Sequence, residues 1–133
     1  MKPIQVGLLG IGTVGSGVFN VLRRNQEEIR RRAGRGIEIT MVADLDVERA
    51  KSVVGAGVQV VNNARAIIAN PDIDIVVELI GGYGVAKALV LEAIARLAAF
   101  LQKYRQRHGT DKLRSVANAS SKAKAKEAKE QAA

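Results

Sequence analysis

Gly10-Ile11-Gly12-Thr13-Val14-Gly15 is the stretch on which the reading of this chain turns. An apolar run, Ile4-Gln5-Val6-Gly7-Leu8-Leu9, precedes it, and a segment with helical periodicity follows. A lone GxGxxG is a weak signal, but a strand before it, a helix after it and an acid ending the next strand are the context a dinucleotide site requires. Gly10 turns the chain sharply off the strand, Gly12 lets main chain approach a pyrophosphate with no Cβ between, and Gly15 lets the helix pack close to the sheet. The unpaired N–H groups of the helix's first turn then face the phosphates, with the positive end of the helix dipole behind them. The alternative, a tight strand-to-helix turn with no ligand, is disfavoured by the surrounding pattern.

The acid is Asp44. It ends a second strand, Ile37-Glu38-Ile39-Thr40-Met41-Val42-Ala43, where a carboxylate accepts hydrogen bonds from adenosine ribose hydroxyls and repels the extra phosphate of NADP. It lies 29 residues after Gly15, beyond the usual spacing of about 20. A polar extension of the first helix, Asn25 to Arg32, accounts for the excess, and Gly34 and Gly36 end it. That helix places Val14, Val18, Val21 and Leu22 on one side. The Arg30–Arg32 cluster reads as a solvated last helical turn rather than a phosphate contact. Asp46 either shares the ribose or caps the next helix, Val47 to Val54, and capping fits it better.

The pattern continues with a short third strand, Val58-Gln59-Val60-Val61, and a helix from Ala64 to Ala69 capped by Asn62 or Asn63. Asn70-Pro71-Asp72 ends that helix. The fourth strand, Ile73 to Ile80, is apolar enough for a central parallel strand covered on both faces. Glu78 is the exception, turned either to the crevice or to a neighbouring helix terminus. Gly81-Gly82-Tyr83-Gly84 then follows at a strand's C-terminal end, where open α/β sheets bind ligands. The expectation is an α/β, Rossmann-like, doubly wound parallel sheet in the order 3-2-1-4, truncated after its fourth strand.

From Val85 a long helix places Val90, Ile94, Leu97, Leu101 and Tyr104 in one stripe. Val90 and Ile94 suit the sheet, while Leu97, Phe100, Leu101 and Tyr104 extend past it and suit a partner helix or a homodimer contact through residues 85–108. His108-Gly109 closes the helix, and Thr110-Asp111 opens a short one through Ala117. Ser120 to Glu130 is low-complexity Ala/Lys with no apolar face, a frayed, disordered or appended segment. The division follows: residues 1–95 as the nucleotide-binding part, 96–119 as a helical extension and 120–133 as a tail.

Charge marks the same boundary. Of the formal +8, residues 1–95 carry +1 and residues 96–133 carry +7. The basic tail offers nucleic acid only a non-specific, salt-sensitive attraction, since aromatics for stacking bases are nearly absent. With 133 residues, 47% of them apolar, the chain suits one globular domain without room for a separate substrate domain. No cysteine is present, which excludes disulfides and Cys-ligated metals and fits a cytoplasmic location. No apolar run approaches the ~20 residues of a membrane span. Neither a metal-ligand set nor a catalytic acid–base residue is identifiable. Lys87 and the lone His108 read as exposed residues of a helix.

Gly10 to Gly15, Val42-Ala43-Asp44-Leu45-Asp46 and Asn70 to Gly82 together carry a family resemblance. Residues from about 4 to 95 closely resemble the N-terminal nucleotide-binding domain of bacterial homoserine dehydrogenase. The third motif is the most specific, because most Rossmann enzymes lack it. That family interconverts homoserine and aspartate semialdehyde with NAD or NADP, in amino-acid biosynthesis leading to threonine and methionine. The resemblance implies that Ile11, Gly12, Thr13 and Val14 line the pyrophosphate and that Ile80, Gly81 and Gly82 edge the nicotinamide side. Where this chain has Ala43, many members have an arginine that holds the 2′-phosphate, so Ala43-Asp44 tilts the reading to NAD, with NADP still open. After Ala95 the family's threonine-alanine-asparagine-lysine motif and catalytic domain are not matched. A dehydrogenase-type module that binds dinucleotide without turning over alone is one reading. A non-enzymatic sensing or dimerisation module, or a recombined fragment, is the other.

Overall fold

The computed structural model describes residues 2–109. Four parallel strands, β1 (Ile4–Leu9), β2 (Ile37–Ala43), β3 (Gln59–Val61) and β4 (Ile75–Glu78), form one sheet in the order β3-β2-β1-β4. The helices are α1 (Thr13–Arg24), α2 (Gln26–Ala33), α3 (Val47–Val54), α4 (Ala64–Ala69) and α5 (Val85–His108). The expected Rossmann-like order of strands is the one observed. The chain divides into two compact units between Ala93 and Ile94, inside α5.

The sheet buries both faces, each against its own apolar cluster. Val6, Leu8, Ile39 and Val42 pack with Phe19 of α1 and Ala50 and Val54 of α3 on one face. Leu9, Met41 and Ala43 pack with Ile67 and Ile68 of α4 and Leu89 of α5 on the other. Ile39 and Met41 are two apart yet serve opposite faces. The register explains this: Val6 pairs with Ile39 and Gly7 with Met41, so Thr40 is an inserted residue that switches the alternation.

Four expectations about packing need correction. The first helix is two helices, broken at Asn25, whose N–H bonds back to the Val21 carbonyl. Its sheet-facing side is Gly15, Val18, Phe19 and Leu22, while Val14 and Val21 are exposed. On α5 the covered residues are Ala86, Leu89 and Ala93, of which Leu89 and Ala93 join the α4-side cluster, while Val90 and Ile94 are exposed. Two of these three are alanines, which a count of large side chains overlooks. Finally, β4 is half-covered rather than covered on both faces: Ile75 is exposed and Val76, Val77 and Glu78 are half-buried. That strand is also shorter than the apolar run that carries it.

Other details follow the sequence closely. Gly34 ends α2 in the left-handed conformation, donating its N–H to the Arg30 carbonyl at 3.0 Å. Arg31 and Arg32 pair with Glu28 on the solvent side, and Arg30 with Glu38. In the second unit, the α5 residues Leu97, Phe100 and Leu101 are exposed, and the Phe100 and Tyr104 rings lie 6.3 Å apart. Thr110 to Ala117 and the Ala/Lys segment lie outside the described residues. Among the described residues no helix is long and apolar enough to cross a membrane.

Candidate functional site

The site forms where the winding of the sheet reverses, at the C-terminal ends of β1, β2 and β4. Gly10 leaves β1 at φ +92° and donates its N–H to the Ala43 carbonyl at 2.8 Å. A Cβ there would also lie 3.0 Å from the Leu79 carbonyl and 3.1 Å from Ile80 main chain. Gly10 is therefore the point on which three strand ends converge. At Gly15, inside α1, a Cβ would overlap the Gly10 carbonyl oxygen, so the helix reaches the loop only because that side chain is missing.

Gly12 differs from both. It is the N-cap of α1, and a Cβ built on it meets nothing within 4 Å. Neither turning nor packing demands a glycine here; the open space above it is what a Cβ would occupy. No side chain caps the helix start, and its first turn holds no acid. The amides at the beginning of α1 are thus left to an outside acceptor, and an anion suits that end of the dipole. Thr13 and Val14 are exposed in this first turn. Ile11 is split: its side chain is fully buried in the core, and its N–H points to Asp44.

Asp44 is positioned by three elements. Its N–H donates to the Val61 carbonyl of β3 at 3.0 Å. Oδ2 accepts from the Ile11 N–H at 2.9 Å, and Oδ1 from the Asp46 N–H at 3.0 Å. Arg49 of α3 adds a donor to Oδ2 at 3.3 Å. Burial pushes this carboxyl up, but the Ile11 and Asp46 amides and the Arg49 guanidinium together outweigh it, and Asp44 is held below the ordinary aspartate value. It is a fixed anion beside the glycine loop. Asp46 caps α3, accepting from the Arg49 N–H at 3.1 Å. Asn63, rather than Asn62, caps α4.

Glu78 takes a course that neither sequence alternative described. Its carboxylate accepts the Ile80 N–H at 2.6 Å, two residues along the same chain. That bond, with the Leu79 N–H donating to the Leu9 carbonyl at 2.8 Å, turns the chain out of β4 into Ile80, Gly81 and Gly82. Gly81 and Gly82 have φ of +78° and +81° and are exposed.

These pieces surround a cavity of about 530 Å³. Gly10, Gly12, Asp44 and Ile80 line it together, drawn from three strand ends and the helix start. Gly81 and Gly82 adjoin Ile80 without lining it, and the side chains of Ile11, Thr13 and Val14 are likewise outside its wall. Sequence reasoning missed several wall residues, among them Leu45, Arg49, Arg65 and Leu79. Leu45 is 93% exposed, an apolar residue left in water at a cavity mouth, which a pattern search reads as mere loop. Among the described residues no group of three or more His, Asp or Glu is arranged to hold a metal.

Comparison with known proteins points to a family. A family model described as homoserine dehydrogenase, NAD-binding domain, matches residues 10–102. The chain is 65% identical over 94 residues to a homoserine dehydrogenase of Methylobacillus glycogenes, covering 71% of this chain and 23% of that protein. It is 52% identical over 95 residues to that of Pseudomonas aeruginosa, covering 71% and 21%. Among solved structures, the homoserine dehydrogenase of Thiobacillus denitrificans superposes with a TM-score of 0.67 at 52% identity, over 71% of this chain and 22% of that one. The chain thus spans less than a quarter of the length of these relatives. With the glycine loop, Asp44 and the β4 turn all inside the matched region, the chain belongs to the homoserine dehydrogenase family, by its NAD-binding domain.

Proposed function

We propose that residues 2–95 bind NAD across the cavity, as the nucleotide-binding part of an oxidoreductase acting on homoserine. In this reading the main-chain amides of Gly12, Thr13, Val14 and Gly15 take the pyrophosphate, with Ile11 supplying the buried anchor beneath them. Asp44 accepts the adenosine ribose hydroxyls, and Ile80, Gly81 and Gly82 border the nicotinamide. The observation that carries it is the open space over Gly12 beside the fixed Asp44 carboxylate.

The dinucleotide supplies the hydride chemistry when bound; this chain's residues bind and orient it. Moving hydride to or from an alcohol carbon also needs a group that handles the hydroxyl proton. Asp44, the one carboxylate in the described cavity wall, is engaged by two amides and Arg49 at the ribose end. We therefore assign this chain binding without turnover of its own. Thermal melts with NAD test the first part. At about 100-fold excess over Kd, binding to the folded form alone adds roughly 2.7 kcal/mol, a rise of many degrees for a domain this size. An unchanged midpoint contradicts the site. NADH formation from homoserine and NAD at high protein concentration contradicts the second part.

A further inference from the structure

The C-terminal half of α5 has a chemistry of its own. Residues 94–109 carry four cations, Arg96, Lys103, Arg105 and Arg107, and no acid. Their apolar side chains gather on one side of the helix: Ile94, Leu97 and Leu101 recur at steps of three and four, with Phe100 beside them. All four are exposed, Phe100 by 62%. The cations border this face. Arg96, Lys103 and Arg107 run in a row with Phe100 at steps of three and four, and Arg105 follows Leu101 by one turn on the other edge. The family match ends at residue 102, so Lys103, Arg105 and Arg107 lie outside it.

Charge decides what can cover such a face. A second copy brings the same row of cations against the first, and the preceding acid on the helix, Glu92, is engaged by Arg65 at 2.8 Å. Residues 110–133 add six Lys/Arg against three Asp/Glu, so the repulsion between copies only grows. A nucleic-acid backbone satisfies the cations but leaves Ile94, Leu97 and Leu101 in water. An anionic lipid surface satisfies both at once: acyl chains take the apolar side chains, and headgroup phosphates take the cations along its borders. Arg105, set close to the apolar side, reaches the headgroups by laying its methylene stem along that boundary. Among the described residues no helix is long and apolar enough to cross a membrane, so the attachment is to one leaflet.

We propose that residues 94–108 are a docking face for an anionic lipid bilayer, lying in the plane of its headgroups with Ile94, Leu97, Phe100 and Leu101 against the acyl chains. The face shares no residue with the nucleotide cavity, so it stands or falls separately from NAD binding.

Flotation of the full chain with vesicles tests it, using phosphatidylcholine alone and phosphatidylcholine with about one-third phosphatidylglycerol. The chain binds the anionic vesicles at least about 10-fold more tightly than the neutral ones. Phe100→Ser weakens that binding about 10-fold, because a ring is withdrawn from the acyl region. Lys103→Gln, Arg105→Gln and Arg107→Gln together weaken it about 100-fold. Melting curves without lipid establish that the variants fold. Equal binding to both vesicles, binding to neither, or anionic binding that Phe100→Ser leaves unchanged overturns the proposal. A lipid-free dimer that Phe100→Ser dissociates in sedimentation also overturns it, and gives the face to a second copy.

Discussion

The Ile11 N–H and the Asp44 carboxylate meet at 2.9 Å although 33 residues separate them. One bond thereby joins the glycine loop after β1 to the acid after β2, and it does so before any ligand arrives. Asp44 and the glycine loop are consequently held in one frame, and a dinucleotide bound as proposed would meet both without ordering either.

Asp44→Asn keeps an acceptor for Ile11 but removes the charge. Because the folded carboxyl titrates below its unfolded value, its contribution to stability is present above the unfolded pKa of about 3.9 and is lost as pH falls through the folded value. Acid melts should therefore show the wild type losing its advantage over Asp44→Asn below about pH 4, with the gap constant near neutrality. NAD affinity at pH 7 should fall about 10-fold, since charge-assisted bonds to the ribose become neutral ones. A gap that widens toward acid would contradict the assigned shift.

Gly12→Ala and Gly15→Ala separate ligand space from packing space. A methyl group on Gly12 enters open space, so stability should change by less than about 1 kcal/mol while NAD binding is lost. A methyl group on Gly15 overlaps the Gly10 carbonyl and should destabilise the fold by about 1–3 kcal/mol. Denaturant unfolding with and without NAD reads both. Strong NAD binding by Gly12→Ala would remove the pyrophosphate from this loop.

Leu89 and Val90 are neighbours with opposite surroundings, 2% and 42% exposed. Leu89→Ala should cost about 2–5 kcal/mol, the range for emptying a buried leucine site. Val90→Ala should cost under about 1 kcal/mol. Comparable losses would mean that α5 meets the sheet by a different face.

The same pair shows what the sequence made legible. The strand–glycine–helix order, the sheet order and Asp44 could be read because each leaves a local mark: alternating apolar residues, glycines at fixed offsets, an acid at a strand end. Helix rotation left a weaker mark. Periodicity gives the spacing of a face, but Ala86, Ala93 and Gly15 lie on the covered faces and lend them little hydrophobicity. The stripes read from sequence took Val14, Val21, Val90 and Ile94 and left out Phe19 and Leu89, which the structure buries. Arg49 was illegible for another reason. Its partners come from the glycine loop, the end of β2 and its own helix cap, a meeting that no single stretch encodes. Glu78 bonding to its own chain at Ile80 is a turn geometry that the residue types alone do not dictate.

Amide chemical shifts of the ¹⁵N-labelled chain during NAD titration test the central claim most directly. The largest saturable shifts should fall on Gly12 to Gly15 and on Asp44 and Leu45, with a second group at Ile80 to Gly82. Saturable shifts confined to residues elsewhere, such as Phe19, Gln26 and Val58 around the separate cavity of about 310 Å³, would contradict it.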